Sequence, residues 1–229
     1  MNHFLSVLLA SFFLLSGALH AKEPTGSAYI DGLNNKRALI LLHGKGGHPR
    51  SEVVDSLRTG VNEKLGLHTL SLRLPNKNKK MEKYAEDFPK SYDIIKDGIR
   101  FLKEEKGVTT IYLAGYDLGA RMATAFVADN PGQPIAGLIV IECGNDGGYP
   151  FSCKENLEKA RIPVLDMWLK EDNKSSDSAS ERKNLVSSTY HQKAVPCRKC
   201  FEKGGKGGDN ILYERKLTGK SIKWLKSQF

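Results

Sequence analysis

The sequence predicts an α/β fold: a mostly parallel sheet, doubly wound by helices on both faces, with no cap domain. Three observations lead there. Several apolar runs have strand length and no polar alternation, among them Arg37 to His43 and Ile135 to Ile141. Such runs suit strands buried on both faces. Segments of helical period separate them, and strand–helix alternation is the pattern of a parallel sheet. No insertion between elements is long enough to build a second layer over the sheet, and there is no internal repeat.

The elements follow in order. A short strand is expected near Ala28-Tyr29-Ile30, then the buried strand Arg37 to His43. Val54, Leu57, Val61 and Leu65 recur at spacings of three and four, the period of an amphipathic helix. His68 to Leu74 is the next strand, ended by Pro75, and Asn76 to Pro89 reads as a charged exposed loop. Tyr92, Ile95, Ile99 and Leu102 mark a second helix, with Gly107 as its C-terminal stop. Thr109 to Ala114 is a strand, Gly115 to Gly119 a sharp turn, and the helix after it turns Met122, Ala125 and Phe126 inward. Ile135 to Ile141 leads into a glycine-rich loop, Cys143 to Cys153, dense in turn residues. A short helix around Glu155 to Ala160, a strand Ile162 to Leu169, a polar helix near Ser180 to Ser187 and a last strand Tyr190 to Val195 come next. Gly204 to Gly208 reads as a flexible loop, and Ile222, Leu225 and Phe229 line one face of a terminal helix.

Residues 1–21 stand apart. Phe4 to Leu15 is apolar and runs into Ser16-Gly17-Ala18-Leu19-His20-Ala21, the pattern of a secretory signal cut after small residues. The run is shorter than the ~20 apolar residues of a spanning helix. The expected organisation is therefore a signal peptide over 1–21, a single domain over 22–229, no integral membrane segment after cleavage, and a periplasmic or secreted location. In an exported chain, Cys143, Cys153, Cys197 and Cys200 point to disulfides. The sequence-local pairing is Cys143–Cys153 with Cys197–Cys200. Both segments fall on loops at one edge of the sheet, so cross-pairing is open as well. A single C-x-x-C with no histidine at ligand spacing argues against zinc. A redox role for Cys197-Arg198-Lys199-Cys200 is disfavoured, because the motif follows a strand and a proline rather than opening a helix. The formal charge is +9. Lysines cluster at Lys77, Lys79, Lys80 and Lys83 and again from Arg198 to Lys206. Such a surface attracts anionic partners or simply confers solubility. No nucleic-acid motif accompanies it, and no cofactor is called for.

Two motifs carry chemistry. His43-Gly44-Lys45-Gly46-Gly47 follows a buried strand, where glycines let backbone N–H groups approach a developing oxyanion. Gly115-Tyr116-Asp117-Leu118-Gly119 has the spacing of the G-x-S-x-G nucleophile elbow, with aspartate in place of serine. In this order, with the right elements between them, the motifs resemble those of the α/β-hydrolase superfamily, over roughly Arg37 to the C-terminus. Within it the chain resembles small, capless, exported bacterial members of unknown function. The resemblance implies oxyanion-hole backbone at Gly44, Lys45 and Leu118, and elbow glycines at Gly115 and Gly119. It implies an acid just after the strand ending at Leu169, where Glu171 and Asp172 stand and Asp172 fits better. It also implies a histidine after the last strand, but that stretch reads Pro196-Cys197-Arg198-Lys199-Cys200, and no histidine follows His191.

Asp117 then has two readings. Haloalkane dehalogenases and epoxide hydrolases in the superfamily use an elbow aspartate as nucleophile and a histidine-activated water to release the ester. The simpler reading is a helix cap, in which the carboxylate accepts from the free N–H groups of the helix it precedes. His43 reads as structural. His48, after the glycines, is the one histidine placed to act as an unorthodox base, with His191 the remaining candidate proton carrier. The expectation is a degenerate hydrolase, a pseudoenzyme, that binds a small-molecule ligand or an anionic envelope component. The alternative is an active hydrolase of ester, lactone or carbon–halogen bonds, using Asp117, Asp172 and His48.

Overall fold

A computed structural model describes residues 21–75, 80–201 and 210–229. The expected signal segment, apart from Ala21, lies outside the described residues, as do Lys77 and Lys79 and the Gly204 to Gly208 loop. Seven strands form one sheet: β1 (Ala28–Ile30), β2 (Arg37–Leu42), β3 (His68–Leu72), β4 (Thr110–Tyr116), β5 (Ile135–Ile141), β6 (Val164–Leu169) and β7 (Tyr190–Val195). Their order across the sheet is β1-β3-β2-β4-β5-β6-β7. β1 runs antiparallel to β3, and every other pairing is parallel. The helices are α1 (Glu52–Leu65), α2 (Asp87–Glu104), α3 (Leu118–Asp129), α4 (Cys153–Leu157), α5 (Asn173–Glu181), α6 (Arg198–Phe201) and α7 (Asn210–Lys226). Among the described residues no separate cap covers the sheet, and no helix is long and apolar enough to cross a membrane.

Each central strand is apolar throughout because alternate residues serve opposite cores. Ala38, Ile40 and Leu42 of β2 join Leu113 of β4 and Val140 of β5 in a core closed by α2, α3 and α4. Leu39 and Leu41, with Tyr112, Ala114, Ile139 and Ile141, face the other core, closed by α1 and α7. There the first and last long helices meet: the Ser56 and Thr218 hydroxyls are 3.0 Å apart, and a Cβ on Gly60 would come within 2.6 Å of the Thr218 methyl.

Two helices differ from expectation. α2 begins at Asp87, inside the stretch read as loop, after a 3₁₀ turn at Met81–Tyr84 that buries Tyr84. The polar helix lies at Asn173–Glu181 rather than Ser180 to Ser187, with a 3₁₀ turn at Lys183–Leu185 after it. Only Ser178 and Ala179 of α5 are buried, so it has no apolar stripe to announce it. Its start is set instead by Asp172, whose Oδ1 accepts from the Lys174 N–H at 2.9 Å and the Ser175 N–H at 3.4 Å.

The cysteines pair locally, Cys143–Cys153 and Cys197–Cys200. The first bridge pins the loop after β5 to α4. Next to it lies a buried ion pair: Asp166 in β6 and Arg182 after α5 are 0% and 1% exposed. Arg182 Nε donates to Asp166 Oδ2 and Nη2 to Oδ1, both at 3.0 Å. Its Nη1 donates to the Cys143 carbonyl and to Asn145 Oδ1, both at 2.8 Å. Tyr190 of β7 donates to Asp166 at 2.6 Å. Removing one partner strands a buried charge, which costs about 3–5 kcal/mol. Arg182→Ala is therefore expected to lower unfolding free energy by about that much in denaturant titration. The pair Asp166→Leu with Arg182→Met is expected to recover most of the loss.

Candidate functional site

The strands deliver their C-terminal ends to one edge, where ligands sit in sheets of this kind. β4 leaves the sheet at Asp117, whose backbone is held at φ 51° and ψ −116°. For a residue with a Cβ this conformation costs of order 1–3 kcal/mol. The turn is that tight because β4 reverses directly into α3. An added Cβ on Gly115 would lie 2.4 Å from the Gly119 carbonyl, and one on Gly119 would lie 2.3 Å from the Leu42 carbonyl. Both positions admit only glycine. Leu118 opens α3 and is buried.

The loop after β2 folds back against this elbow. A Cβ on Gly44 would meet Asp117 Cβ at 3.2 Å and Asp117 Oδ2 at 3.3 Å. Lys45, the next residue, donates its backbone N–H to Asp117 Oδ2 at 3.0 Å. Asp117 occupies the N-cap position of α3, but its side chain makes no cap hydrogen bond. The helix-cap expectation is thus corrected. The positive φ turns the carboxylate away from its own helix and toward the glycine loop.

Asp117 lines a cleft of about 550 Å³ together with Glu142, Asp172, Arg121, Cys200 and Tyr213. Glu142 was not anticipated from the sequence. It follows β5 directly, next to Asp117, whose N–H donates to the Ile141 carbonyl at 2.9 Å. Glu142 is also a non-glycine residue at positive φ, 54°. Its Oε1 accepts from the Leu169 N–H at 2.8 Å and from the Tyr213 hydroxyl, while Oε2 is buried without a hydrogen-bond partner. Burial pushes the Glu142 carboxyl above its usual range, more strongly than Ser175, Tyr213 and the Leu169 N–H pull it down. Burial beside Glu142 likewise raises the Tyr213 phenol. The sequence signal was an acidic residue placed immediately after a wholly apolar strand.

Arg121, reaching from α3, is buried and donates to the Asp146 and Phe151 carbonyls at 2.7 and 3.1 Å. Its guanidinium also pairs with the Asp146 carboxylate and holds that group below its ordinary pKa. A Cβ on Gly144 would sit 2.0 Å from Arg121 Nη2, so this wall closes only around glycine.

The other sequence-derived candidates divide. Asp172 lines the same cleft, but its Oδ1 caps α5 and its Oδ2 accepts from the Ser175 hydroxyl at 3.2 Å; no histidine is there for it to orient. Glu171 accepts the Cys197 N–H at 2.8 Å and ties the ends of β6 and β7 together. His48 is exposed and lines a neighbouring hollow with Lys45, Arg50 and Tyr116 rather than the Asp117 cleft. Its Nδ1 accepts the Arg50 N–H at 3.2 Å. His191 lies exposed on β7, in register with Leu165. His43 is buried: Nε2 accepts the Leu74 N–H at 3.2 Å, which leaves the proton on Nδ1 to donate to the Gly44 carbonyl at 3.0 Å. Burial lowers its pKa, so it stands as a neutral brace for the glycine loop. Among the described residues no histidine lines the cleft.

The Glu142 shift fixes a sign. A carboxyl whose folded pKa is raised binds a proton more tightly when folded. Its contribution to stability is present below the ordinary value of 4.5 and is lost as pH rises through the folded pKa. Glu142→Gln, which cannot ionise, is expected to remove that loss. Denaturation midpoints of the variant and wild type should coincide near pH 4 and diverge in the variant's favour toward neutrality.

Solved structures share this architecture. Est1E from Butyrivibrio proteoclasticus, solved with ferulic acid bound, superposes with a TM-score of 0.63 at 16% identity, covering 87% of this chain and 95% of that one. A dienelactone hydrolase from Anabaena variabilis gives 0.65 at 14% identity, over 88% of this chain and 90% of that one. A hormone-sensitive lipase from a metagenome library gives 0.61 at 16%, over 91% and 88%. At such identities the likeness is one of fold, and it establishes the α/β-hydrolase architecture. Comparison with curated proteins gives no match. Residues 81–197 match the family model described as "Protein of unknown function (DUF3530)", and the chain belongs to that family.

Proposed function

We propose that this chain is an exported α/β-hydrolase-fold protein whose cleft binds a ligand without hydrolytic turnover, a pseudoenzyme of the cell envelope. One observation carries the reading: Asp117 Oδ2 accepts the Lys45 N–H at 3.0 Å. In acyl transfer, that amide would donate to the oxyanion that develops at the carbonyl. Here the protein's own carboxylate takes the hydrogen bond, and a second negative charge forming beside it would be repelled. The four histidines outside the leader segment support the same reading, since two are buried braces and two face away from the cleft. Export is supported by the apolar leader pattern and by the two disulfides.

With Asp117, Glu142 and Asp172 in its lining against Lys174 and an Arg121 already paired with Asp146, the cleft suits a small molecule bearing hydroxyl or ammonium groups better than an anion. An anionic envelope component would instead meet the lysines of the outer surface, in a protein of formal charge +9.

The strained elbow favours a second reading. A conformation costing of order 1–3 kcal/mol is held at Asp117, and strain of this kind gathers at reacting residues. In that reading Asp117 attacks carbon, and Glu142 rather than a histidine handles the proton. Turnover of nitrophenyl esters, lactones and haloalkanes separates the two readings. The binding reading expects wild type and Asp117→Ser alike to stay at the buffer rate, since restoring the serine frees the Lys45 amide but supplies no histidine base in the cleft. A wild-type rate that Asp117→Asn reduces by about 100-fold or more would establish the catalytic reading instead.

A further inference from the structure

We propose that Cys197–Cys200 is a redox-active disulfide that exchanges with thiol substrates entering through the cleft. The proposal goes beyond ligand binding and stands whether or not the cleft hydrolyses anything. The two disulfides of this chain are built differently. Cys143 and Cys153 are 2% and 0% exposed, and the Thr124 hydroxyl lies against the Cys153 sulfur. That bridge spans a sequence separation of 10 and anchors a loop. Cys197–Cys200 spans a separation of 3, the closure that constrains an unfolded chain least and so has the least structural use.

Its two sulfurs are also unequal. Cys197 is 2% exposed and packs in the core with Val195 and Tyr213. Cys200 is partly exposed and lines the cleft. An incoming thiolate can therefore reach one sulfur and not the other, which fixes the direction of attack. The local fold also differs from what the sequence suggested. After β7 and Pro196 the motif does run into a helix, α6, and the Cys200 N–H donates to the Cys197 carbonyl at 2.8 Å. Charge of both signs stands at the bridge: Arg198 lies between the cysteines, Lys216 Nζ donates to the Pro196 carbonyl at 2.6 Å, and the Glu171 carboxylate accepts the Cys197 N–H at 2.8 Å. The two cations favour a departing thiolate, and the carboxylate opposes it. The Glu142 carboxyl, raised above its ordinary range by burial, lines the same cleft as Cys200.

The exchange balances as follows. A substrate thiolate attacks Cys200 Sγ, the Cys197–Cys200 bond breaks, and Cys197 leaves as a thiolate that takes up a proton. The second substrate thiol, deprotonated, attacks the mixed disulfide at the substrate sulfur and releases Cys200 as thiolate. Two electrons have then passed from the substrate dithiol, now a disulfide, to the protein, now a dithiol. A small-molecule disulfide such as oxidised glutathione returns the protein to its starting state by the same steps in reverse.

The test uses the purified oxidised protein and a reduced two-cysteine peptide, with alkylation and peptide mapping as readouts. The peptide should be oxidised stoichiometrically, at a rate at least about tenfold above that with equimolar oxidised glutathione. Cys197 and Cys200 should become alkylatable while Cys143–Cys153 stays closed. Cys197→Ser, which has no Cys197–Cys200 bond to give up, should leave the peptide reduced. If that variant does not fold, the wild-type rate and the order of reduction still decide the matter. Peptide oxidation no faster than with glutathione would overturn the proposal, as would a Cys197–Cys200 bond that opens only together with Cys143–Cys153.

Discussion

The buried pair of Asp166 and Arg182 organises everything on the far side of the cleft. It joins the middle of β6, the end of α5, the hydroxyl of Tyr190 on β7 and, through the Cys143 carbonyl and Asn145, the loop that leaves β5. β6, α5 and the loop after β5 reach the cleft through Leu169, Ser178 and Gly144, and α5 buries only Ser178 and Ala179 to hold it there. Taking both charges out of water is costly, and the cost is offset only because nearly every polar atom of the pair finds a partner. Such a network tolerates few alternative arrangements, so it fixes the position of the cleft wall as well as stabilising it.

On the near side, steric constraint does the equivalent work. Gly115 and Gly119 allow β2, β4 and α3 to approach at distances no side chain would permit, Gly44 packs tightly against Asp117 and Tyr116, and the elbow backbone is bent accordingly. The departure from the G-x-S-x-G pattern is therefore chemical and not architectural. A carboxylate replaces a hydroxyl on an intact turn, and it accepts the Lys45 N–H of the neighbouring glycine loop. A second carboxyl, Glu142, follows the neighbouring strand and also has positive φ. Two non-glycine residues at positive φ, one after each of two paired central strands, place backbone strain beside the cleft.

The sheet was legible because burial on both faces writes itself as unbroken apolar runs, and the elbow was legible because its glycines are sterically obligatory. The polar elements were harder to read. α5 has the composition of a loop, and only the capping carboxylate of Asp172 marks its start, a residue that a search for catalytic acids reads differently. Asp166 sits in the otherwise apolar run Val164–Leu169, and an acidic residue in such a strand implies a buried partner. The partner, Arg182, lies 16 positions away across a helix, beyond any local pattern. The direction of the Asp117 side chain depends on a positive φ that residue type alone does not reveal for an aspartate.

The packing of α1 against α7 governs how the chain must assemble. The core between them takes Val53, Val54, Leu57 and Val61 from near the start of the domain and Tyr213, Leu217, Trp224 and Leu225 from its last residues. A fragment lacking α7 cannot close that face of the sheet. A nascent chain would carry an open hydrophobic surface along α1 until α7 had been made. Long-range closure of this kind slows folding and lengthens the interval in which a chain stays unfolded.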